Sequence, residues 1–241
     1  MTSGRESKST MENNGRLHLV IDADDTLWEN NAYFELAFRQ FAAYLNHSRL
    51  SDAEVRLCLD RIEDANRVLY GYGSVQFGRN MVECFEELSE RQARDEDREA
   101  VQRIALGIME HPLELIEGVA ETLAYLSDRH TLTLFTKGEP AEQNAKVKNS
   151  GLAPLFDDVV VAREKDPGAY RALLARRGAM EAHSWMIGNS PKSDINPALA
   201  VGMNAVYIPH ARNWHLEHED LVPGAGTLLE LSRFSELRNH F

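Results

Sequence analysis

Short apolar runs alternate with amphipathic stretches over most of the chain, and this alternation predicts strands and helices in turn. The runs that predict buried strands lie at 17–22, 131–136, 156–162, 184–188 and 204–209. Helical spacing is found at 118–127, 142–149, 167–177 and 197–201. Because strands that alternate with helices pair in parallel through right-handed crossovers, we predict an α/β core with a Rossmann-like parallel sheet.

A long segment without a convincing strand interrupts this core after its first predicted strand. Four helical stretches fill it, at 30–47, 51–69, 75–91 and 96–109. Ser51 and Glu54 form a capping box at the start of the second stretch. We therefore predict a helical cap domain over 30–112, inserted into a core made of 17–29 and 113–241. Trp28 is expected to pack at the hinge between the two.

The first 16 residues contain no apolar run. They are neither a signal peptide nor a membrane span, and we predict a disordered lead. Met11 is an alternative start that the sequence leaves open.

Composition narrows the possible partners. The 241 residues include 26 Lys and Arg and 38 Asp and Glu, a formal net charge of −12. This balance argues against nucleic acid as a polymeric partner, because such binding needs a broad basic surface. The two cysteines, Cys58 and Cys84, lie in predicted helices without metal-binding spacing. They indicate a reduced, cytoplasmic protein with both thiols buried and no membrane partner. The oligomeric state stays open.

Polar residues gather where the predicted strands end. They are Asp22, Asp24 and Thr26 after the first strand, Thr136, Lys137 and Gly138 after the second, Lys165 after the third, and Asn189 and Asp194 after the fourth. In an open α/β sheet, ligands bind outside the carboxyl ends of the strands. We therefore expect these side chains to form one site.

This set of groups is the one that phosphoryl transfer through a covalent aspartate requires. One carboxylate attacks phosphorus, and a second group protonates the leaving oxygen and later activates water. A divalent metal cancels the repulsion between nucleophile and phosphate, and oxygen ligands favour Mg²⁺. A hydroxyl and a lysine hold the phosphoryl oxygens. Side chains two positions apart in a strand point to the same side, so Asp22 and Asp24 are expected to face the site together. Asp25 is expected to accept hydrogen bonds from nearby backbone N–H groups where the next helix begins.

Four segments carry a resemblance to the haloacid dehalogenase superfamily of phosphatases. "DADDT" resembles the first motif of the family, "LTLFTKG" the second, Lys165 in "REKDPGAY" the third and "MIGNSPKSD" the fourth. The order and spacing cover roughly residues 17–210, and the helical segment lies where the family places its cap. Four motifs in order at four strand ends are far more specific than any one of them.

The resemblance implies a role for each matching position. Asp22 is then the nucleophile and Asp24 the acid/base, while Thr136 and Lys165 bind the phosphoryl group. Asp22, the main-chain carbonyl of Asp24 and Asp194 are then the Mg²⁺ ligands.

The chain departs from the family pattern at two points. Asn189 replaces the usual aspartate of the fourth motif, which makes it a candidate for orienting Asp194 or a metal-bound water instead of binding the metal itself. Asp166 separates Lys165 from Pro167, and Lys137 is therefore kept as a rival phosphate-binding lysine.

The family's dehalogenases lack a carboxylate two residues after the nucleophile, and Asp24 therefore favours phosphate chemistry. The predicted function is a Mg²⁺-dependent phosphatase acting on a small phosphorylated metabolite such as a sugar phosphate or nucleotide. A phosphomutase and a catalytically silent scaffold are the alternatives kept. A phospho-accepting receiver is disfavoured by the length and by the helical segment.

Two further groups are weaker candidates. Tyr72, Arg67 and Arg79, near "GYGS" at 71–74, are candidate substrate-specificity residues, although a plain turn between helices fits this stretch equally well. His210, His215 and His218 are loosely spaced among acidic residues, and we interpret them as a surface segment rather than a zinc site.

Overall fold

The residues that the structure describes form one parallel sheet of six strands. A computed structural model describes residues 15–212 and 214–241. The strands are β1 (His18–Ile21), β2 (Thr131–Lys137), β3 (Asp158–Ala162), β4 (Ser184–Gly188), β5 (Asn204–Tyr207) and β6 (Leu228–Glu230). Their order is β3-β2-β1-β4-β5-β6, and every neighbouring pair is parallel. The predicted Rossmann-like α/β core is confirmed.

The helices fall into two groups. The first group is α1 (Asn31–Leu45), α2 (Asp52–Tyr70), α3 (Ser74–Leu88) and α4 (Asp95–Leu106), followed by a short 3₁₀ turn at Gly107–Glu110. The second group flanks the sheet and is α5 (Val119–Ser127), α6 (Pro140–Asn149), α7 (Pro167–Arg177) and α8 (Asn196–Ala200). The first and last residues predicted from sequence for these eight helices differ from the observed ones by no more than three positions. Ser51 and Glu54 form the predicted capping box of α2.

Sequence patterning missed β6. This strand has three residues, none of them fully buried, and it pairs only with β5. A run that short has no alternation from which a strand could be read. It lies at the edge of the sheet, away from the predicted site.

The central strand β1 is buried along its whole length. His18 lies opposite Thr131 on β2 and opposite Ser184 on β4. An apolar run buried on both faces is typical of a parallel sheet between two layers of helices. This register aligns the carboxyl ends of β1, β2 and β4 at one edge.

The four helices of residues 31–106, called the helical insert below, enclose a hydrophobic cluster of their own. It includes Phe41, Leu59, Met81 and Phe85, whereas separate clusters pack on the two faces of the sheet. The chain passes between insert and sheet twice, where two backbone hydrogen bonds hold 27–29 against 114–116. Trp28, only 1% exposed, packs in a sheet cluster at these crossings, as predicted for the hinge.

Two expectations need correction. Cys84 is buried, but Cys58 is only partly buried because its thiol lies at the surface between Arg61 and Glu87. Residues 1–14 of the predicted disordered lead, with Met11, lie outside the described residues. Arg16, assigned to that lead, instead donates hydrogen bonds to the carbonyls of Ser127 and His130 and belongs to the folded core.

Candidate active site

The polar residues predicted at the strand ends meet at one edge of the sheet. They line a cavity of about 150 Å³ between this edge and the helical insert. The predicted residues along its wall are Asp22, Asp24, Thr136, Lys137, Lys165, Asn189 and Asp194 from the core and Arg67 and Tyr72 from the insert. Parallel strands bring these residues together although they are separated by up to 172 positions in the chain, from Asp22 to Asp194.

Lys165 lies between two buried carboxylates at the centre of the site. Its Nζ donates to Asp194 Oδ1 at 2.8 Å and also to Asp22. The side chains of Lys165 and Asp194 are each 1% exposed, and that of Asp22 is 9% exposed. Burial and the Asp194 carboxylate raise the pKa of Asp22 above its usual range, against the opposing effect of Lys165. Two carboxylates thus share one ammonium group.

This charge balance fits a divalent cation. Two carboxylates with one ammonium leave one negative charge without a partner at a buried position, where isolated charge is unfavourable. Carboxylate oxygens are also the ligands that Mg²⁺ prefers. Asp22 and Asp194, with oxygen donors from the adjoining backbone, are therefore the residues that would hold the metal.

Gly188, at the end of β4, allows Asp194 to enter the site. A Cβ on Gly188 would lie 2.3 Å from Asp194 Oδ2, so a side chain there would displace the carboxylate. Asp194 Oδ2 also accepts the Ser190 backbone N–H at 3.0 Å. Asp194 does not itself cap a helix. Ser190 caps the turn Pro191–Ile195, and Asp194 lies inside it.

Thr26 connects the first and fourth motifs. Its hydroxyl lies 2.9 Å from Asp22 Oδ2 and 3.1 Å from Asn189 Oδ1. Asn189 is buried, with 4% exposure. The amide therefore lies next to the carboxylate pair, in a position to orient groups around it.

Asp24 is held by three donors that the sequence did not indicate as a set. Trp28 Nε1 donates to it at 2.7 Å, Gln143 Nε2 at 2.9 Å and Lys146 Nζ at 3.0 Å. Gln143 also accepts the Thr136 hydroxyl at 3.3 Å. Gln143 and Lys146 are three positions apart on α6, which begins directly beyond β2. Two polar residues on one face of a helix that begins at the active edge are the sequence signal by which Gln143 and Lys146 could have been predicted.

Lys137 and Lys165 occupy different places in the cavity. Lys137 Nζ donates to Glu217 and to Ser193 Oγ, the latter at 2.8 Å. Although burial opposes it, Lys137 with the hydroxyls of Ser190 and Ser193 holds the pKa of Glu217 below its usual value. Lys165, rather than Lys137, contacts the carboxylate pair. Glu217 comes from an irregular segment and was not predicted.

The insert forms the far wall of the cavity. Gly71 to Gly73 make the turn between α2 and α3, as one of the two interpretations had it, and this turn also lines the cavity. Tyr72 donates its hydroxyl to Glu164 at 2.7 Å. Arg79 is exposed and lines a separate surface groove instead of this cavity, so the cavity wall does not support its predicted role in specificity. Arg56 and Glu63 of α2 line the cavity and were missed.

Asp25 has the role predicted for it at the helix entry. Its carboxylate accepts the backbone N–H groups of Asn30 and Asn31 at 2.9 and 3.0 Å. Burial, the largest cause, raises the pKa of Asp25 to about 6, against these backbone hydrogen bonds.

His210 lies in a stretch whose residues Pro209, Ala211 and Arg212 are exposed, as predicted for a surface segment, but its own side chain is partly buried. Its side chain is 14% exposed and approaches Glu29 at 3.4 Å and Asp25 at 3.9 Å. These three residues have ligand atoms within 4.8 Å of one another, a geometry that could hold a metal ion. Arg212 approaches Glu29 at 3.5 Å and supplies positive charge beside the same group. His218 is exposed and lies apart from this group.

Among the described residues, no helix combines the length and the apolar character needed to cross a membrane.

Similar proteins are hydrolases of one family. The model of haloacid dehalogenase-like hydrolases matches residues 18–202. The phosphoserine phosphatase of Thermus thermophilus is 32% identical over 82 residues, 32% of this chain and 33% of that protein. This match thus spans only a third of the relative's length. The glyceraldehyde 3-phosphate phosphatase of Methanocaldococcus jannaschii is 22% identical over 212 residues, 84% of this chain and 89% of that protein.

A solved structure extends the likeness to nearly the whole chain. It is a haloacid dehalogenase-like family hydrolase from Xanthomonas campestris, 29% identical, with a TM-score of 0.77. The match covers 93% of this chain and 94% of that one. The family match over more than half of the chain agrees with the sheet order and with the carboxylates at its active edge. The protein therefore belongs to the haloacid dehalogenase-like hydrolases.

Proposed function

We propose that the protein is a Mg²⁺-dependent phosphomonoester hydrolase that acts through an aspartyl-phosphate on a small phosphorylated metabolite. One observation carries the proposal: Asp22 and Asp194 share Lys165, while Asp24 lines the same cavity. A carboxylate two residues after the nucleophile supplies the acid/base that ester cleavage needs. Carbon–halogen cleavage has no use for a second carboxylate at this position, and phosphate chemistry is favoured.

In the first half-reaction, an oxygen of Asp22 forms a bond to phosphorus while the bond from phosphorus to the leaving oxygen breaks. Asp24 gives its proton to that oxygen, and the alcohol departs. In the second, Asp24 takes a proton from water as the water oxygen attacks phosphorus. The bond between phosphorus and Asp22 breaks, which restores the carboxylate and releases inorganic phosphate.

The surrounding groups position these two carboxylates. Lys165 and the Thr136 hydroxyl supply donors to the phosphoryl oxygens, where negative charge is concentrated in the transition state. Gln143 and Lys146 hold both oxygens of Asp24. Asp24 must therefore exchange one of these contacts for one with the leaving oxygen. When bound by Asp22 and Asp194, Mg²⁺ supplies positive charge that offsets the repulsion between carboxylate and phosphate.

The cavity bears on the size of the substrate. About 150 Å³ is close to the volume of a cavity that accommodates a benzene-sized molecule. This supports a phosphate ester with a short leaving group over a nucleotide. Cytoplasmic location and the absence of nucleic-acid and membrane partners remain part of the proposal; the net charge of −12 supports the point on nucleic acid, and the free thiols of Cys58 and Cys84 support the location.

The test is phosphate release from a panel of phosphorylated metabolites with and without Mg²⁺. We expect the wild-type protein to release phosphate only when Mg²⁺ is present. The Asp22→Asn variant should release no phosphate and should form no phospho-enzyme, because an amide is a poor nucleophile. Asp128→Asn, the same change at an exposed position of the core, is the matched control. An isomerised phosphate ester in place of free phosphate would identify a mutase. Halide release from 2-haloacids without phosphatase activity, or no turnover at all, would overturn the proposal.

A further inference from the structure

Glu63 places a buried carboxyl group in the wall of the cavity that the chemistry above does not use. It lies on α2 of the insert and is 6% exposed. Its Oε2 atom has no hydrogen-bond partner in the part of the chain that the structure describes. Buried polar side-chain atoms are nearly always hydrogen-bonded, so an exception in a residue that lines a cavity requires an explanation, and a ligand group that the carboxyl meets when it turns towards the cavity is one.

The surroundings of Glu63 leave its carboxyl group without an ion-pair partner among the described residues. The Trp214 side chain, from the segment after β5, donates a hydrogen bond to the carboxyl group. Arg56, the nearest cation, is engaged elsewhere, since it binds Glu35 at 2.7 Å and lies over the Phe38 ring at 3.6 Å. Burial raises the pKa of Glu63 to about 8, against the opposing charge of Arg56. At neutral pH the group is therefore mostly uncharged and can both donate and accept a hydrogen bond.

Charge in the cavity limits what the leaving group can carry. Every lysine and arginine in the described wall of the cavity is already paired with a carboxylate: Arg56 with Glu35, Arg67 with Asp64, Lys137 with Glu217, Lys146 with Asp24, and Lys165 with Asp22 and Asp194. A carboxylate or second phosphate on the leaving group would find no uncommitted cation in this wall. A hydroxyl or an ammonium group needs none.

We propose that Glu63 is a specificity-determining residue whose carboxyl group turns towards the cavity and hydrogen-bonds a hydroxyl or ammonium group on the leaving group of the substrate. The substrate class is then a small phosphomonoester of an amino alcohol or polyol, without a second anionic group. This inference rests on the proposed phosphatase function and deepens it.

The experiment compares kcat/KM for matched esters of two and three carbons. The set is hydroxyalkyl, aminoalkyl, carboxyalkyl and plain alkyl phosphates, with p-nitrophenyl phosphate as a generic substrate. We expect the wild-type protein to favour the hydroxyalkyl or aminoalkyl ester over the plain alkyl ester by about 10- to 100-fold, the scale of one buried hydrogen bond. The carboxyalkyl ester is expected to be poorest.

The variants separate recognition from folding. Glu63→Met keeps the length of the side chain and removes the polar atoms, so we expect the polar-to-alkyl ratio to fall to near one while p-nitrophenyl phosphate hydrolysis is retained. Glu63→Gln keeps hydrogen bonding without an ionisable group, and should preserve preference for a hydroxyl and weaken preference for an ammonium group. Glu96→Gln, on the exposed surface of α4, is the control. Thermal unfolding of each variant checks that it is folded.

Each outcome decides one point. If the wild-type protein hydrolyses none of the esters, including the generic one, the proposed function fails and this inference fails with it. If esters are hydrolysed but both Glu63 variants leave the polar-to-alkyl ratio unchanged, or the carboxyalkyl ester is preferred, the inference on Glu63 is wrong and the phosphatase function stands.

Discussion

Glu142, in the first turn of α6, binds the first residue of α3 in the insert. Its carboxylate accepts the Ser74 backbone N–H at 3.0 Å and the Ser74 hydroxyl at 2.6 Å. Gly73, at the N-cap position of α3, has no side chain with which to cap the helix. A residue of the core therefore caps a helix of the insert, and holds the insert against the active edge.

We expect Glu142→Ala to lower the free energy of unfolding by about 1 kcal/mol, the usual loss for a helix cap. The amides at the start of α3 should also exchange faster with solvent, because their acceptor is gone. Denaturant unfolding and hydrogen exchange measure the two effects. Glu142→Gln keeps an acceptor oxygen and should be intermediate, whereas Glu121→Ala, exposed in the first turn of α5, should change neither. Equal exchange in all variants would contradict this capping role.

Asp24→Asn should fold normally and slow both half-reactions by about 10²–10⁴-fold, the contribution of a general acid/base. The expected metal contact is the main-chain carbonyl, which the substitution keeps. Burst and steady-state kinetics separate the two half-reactions. Turnover at the wild-type rate would require another acid in the site.

Metal affinity should distinguish Asn189 from Asp194. Asp194→Ala removes a proposed ligand and should nearly abolish Mg²⁺-dependent activity. Asn189→Ala should weaken Mg²⁺ affinity or activity by about 10- to 100-fold, as for a residue that orients a ligand. Titration of activity with Mg²⁺ provides the comparison. If Asn189→Ala leaves Mg²⁺-dependent activity unchanged, Asn189 only supports the loop structure. If it lowers this activity as much as Asp194→Ala does, Asn189 is a direct metal ligand.

His18 should make stability fall in mild acid. Burial, with the nearby charge of Arg177, lowers the pKa of His18 to about 4. Its ring nitrogen bonds the Thr133 hydroxyl at 2.9 Å. Below about pH 6.5 the unfolded chain binds a proton at this histidine that the folded chain does not, down to about pH 4. The free energy of unfolding therefore decreases as pH falls through this window, by at most about 1.4 kcal/mol per pH unit.

Denaturant unfolding between pH 7 and pH 4.5 tests this expectation. His18→Gln should lose stability less steeply than wild type over that range, whatever its stability at pH 7. His240→Gln, at an exposed histidine, should follow the wild-type slope. Parallel curves for wild type and His18→Gln would show that His18 does not contribute to the pH dependence.

The strands and their polar ends could be predicted from sequence because each signal is local. An apolar run gives a strand, parallel pairing follows from the intervening helices, and the residues after Ile21, Lys137, Ala162 and Gly188 then meet at one edge. The donors around Asp24 could not be predicted in the same way. Gln143 and Lys146 face it only through the angle at which α6 leaves the sheet, which no spacing rule fixes.

Predictions for the insert were less accurate because its inward face depends on packing between helices. Phe77 and Asn80 of α3 are buried residues of the cavity wall, whereas Arg79, adjacent to Asn80, is exposed and lines the separate surface groove. Trp214 and Glu217 lie in an irregular segment, where no periodicity marks the inward residues. Glu63 was missed because an acidic residue in an amphipathic helix is usually exposed.

The position of β1 at the centre of the sheet has a consequence for synthesis. This strand leaves the ribosome first, yet its partners begin 113 and 166 residues later, at Thr131 and Ser184. The four helices of the insert, which share a separate core, are completed in the interval. One edge of this apolar strand thus stays open until β2 has been made and the other until β4 has been made, and open strand edges favour aggregation. Expression of this protein should therefore benefit from chaperones that shield the nascent chain.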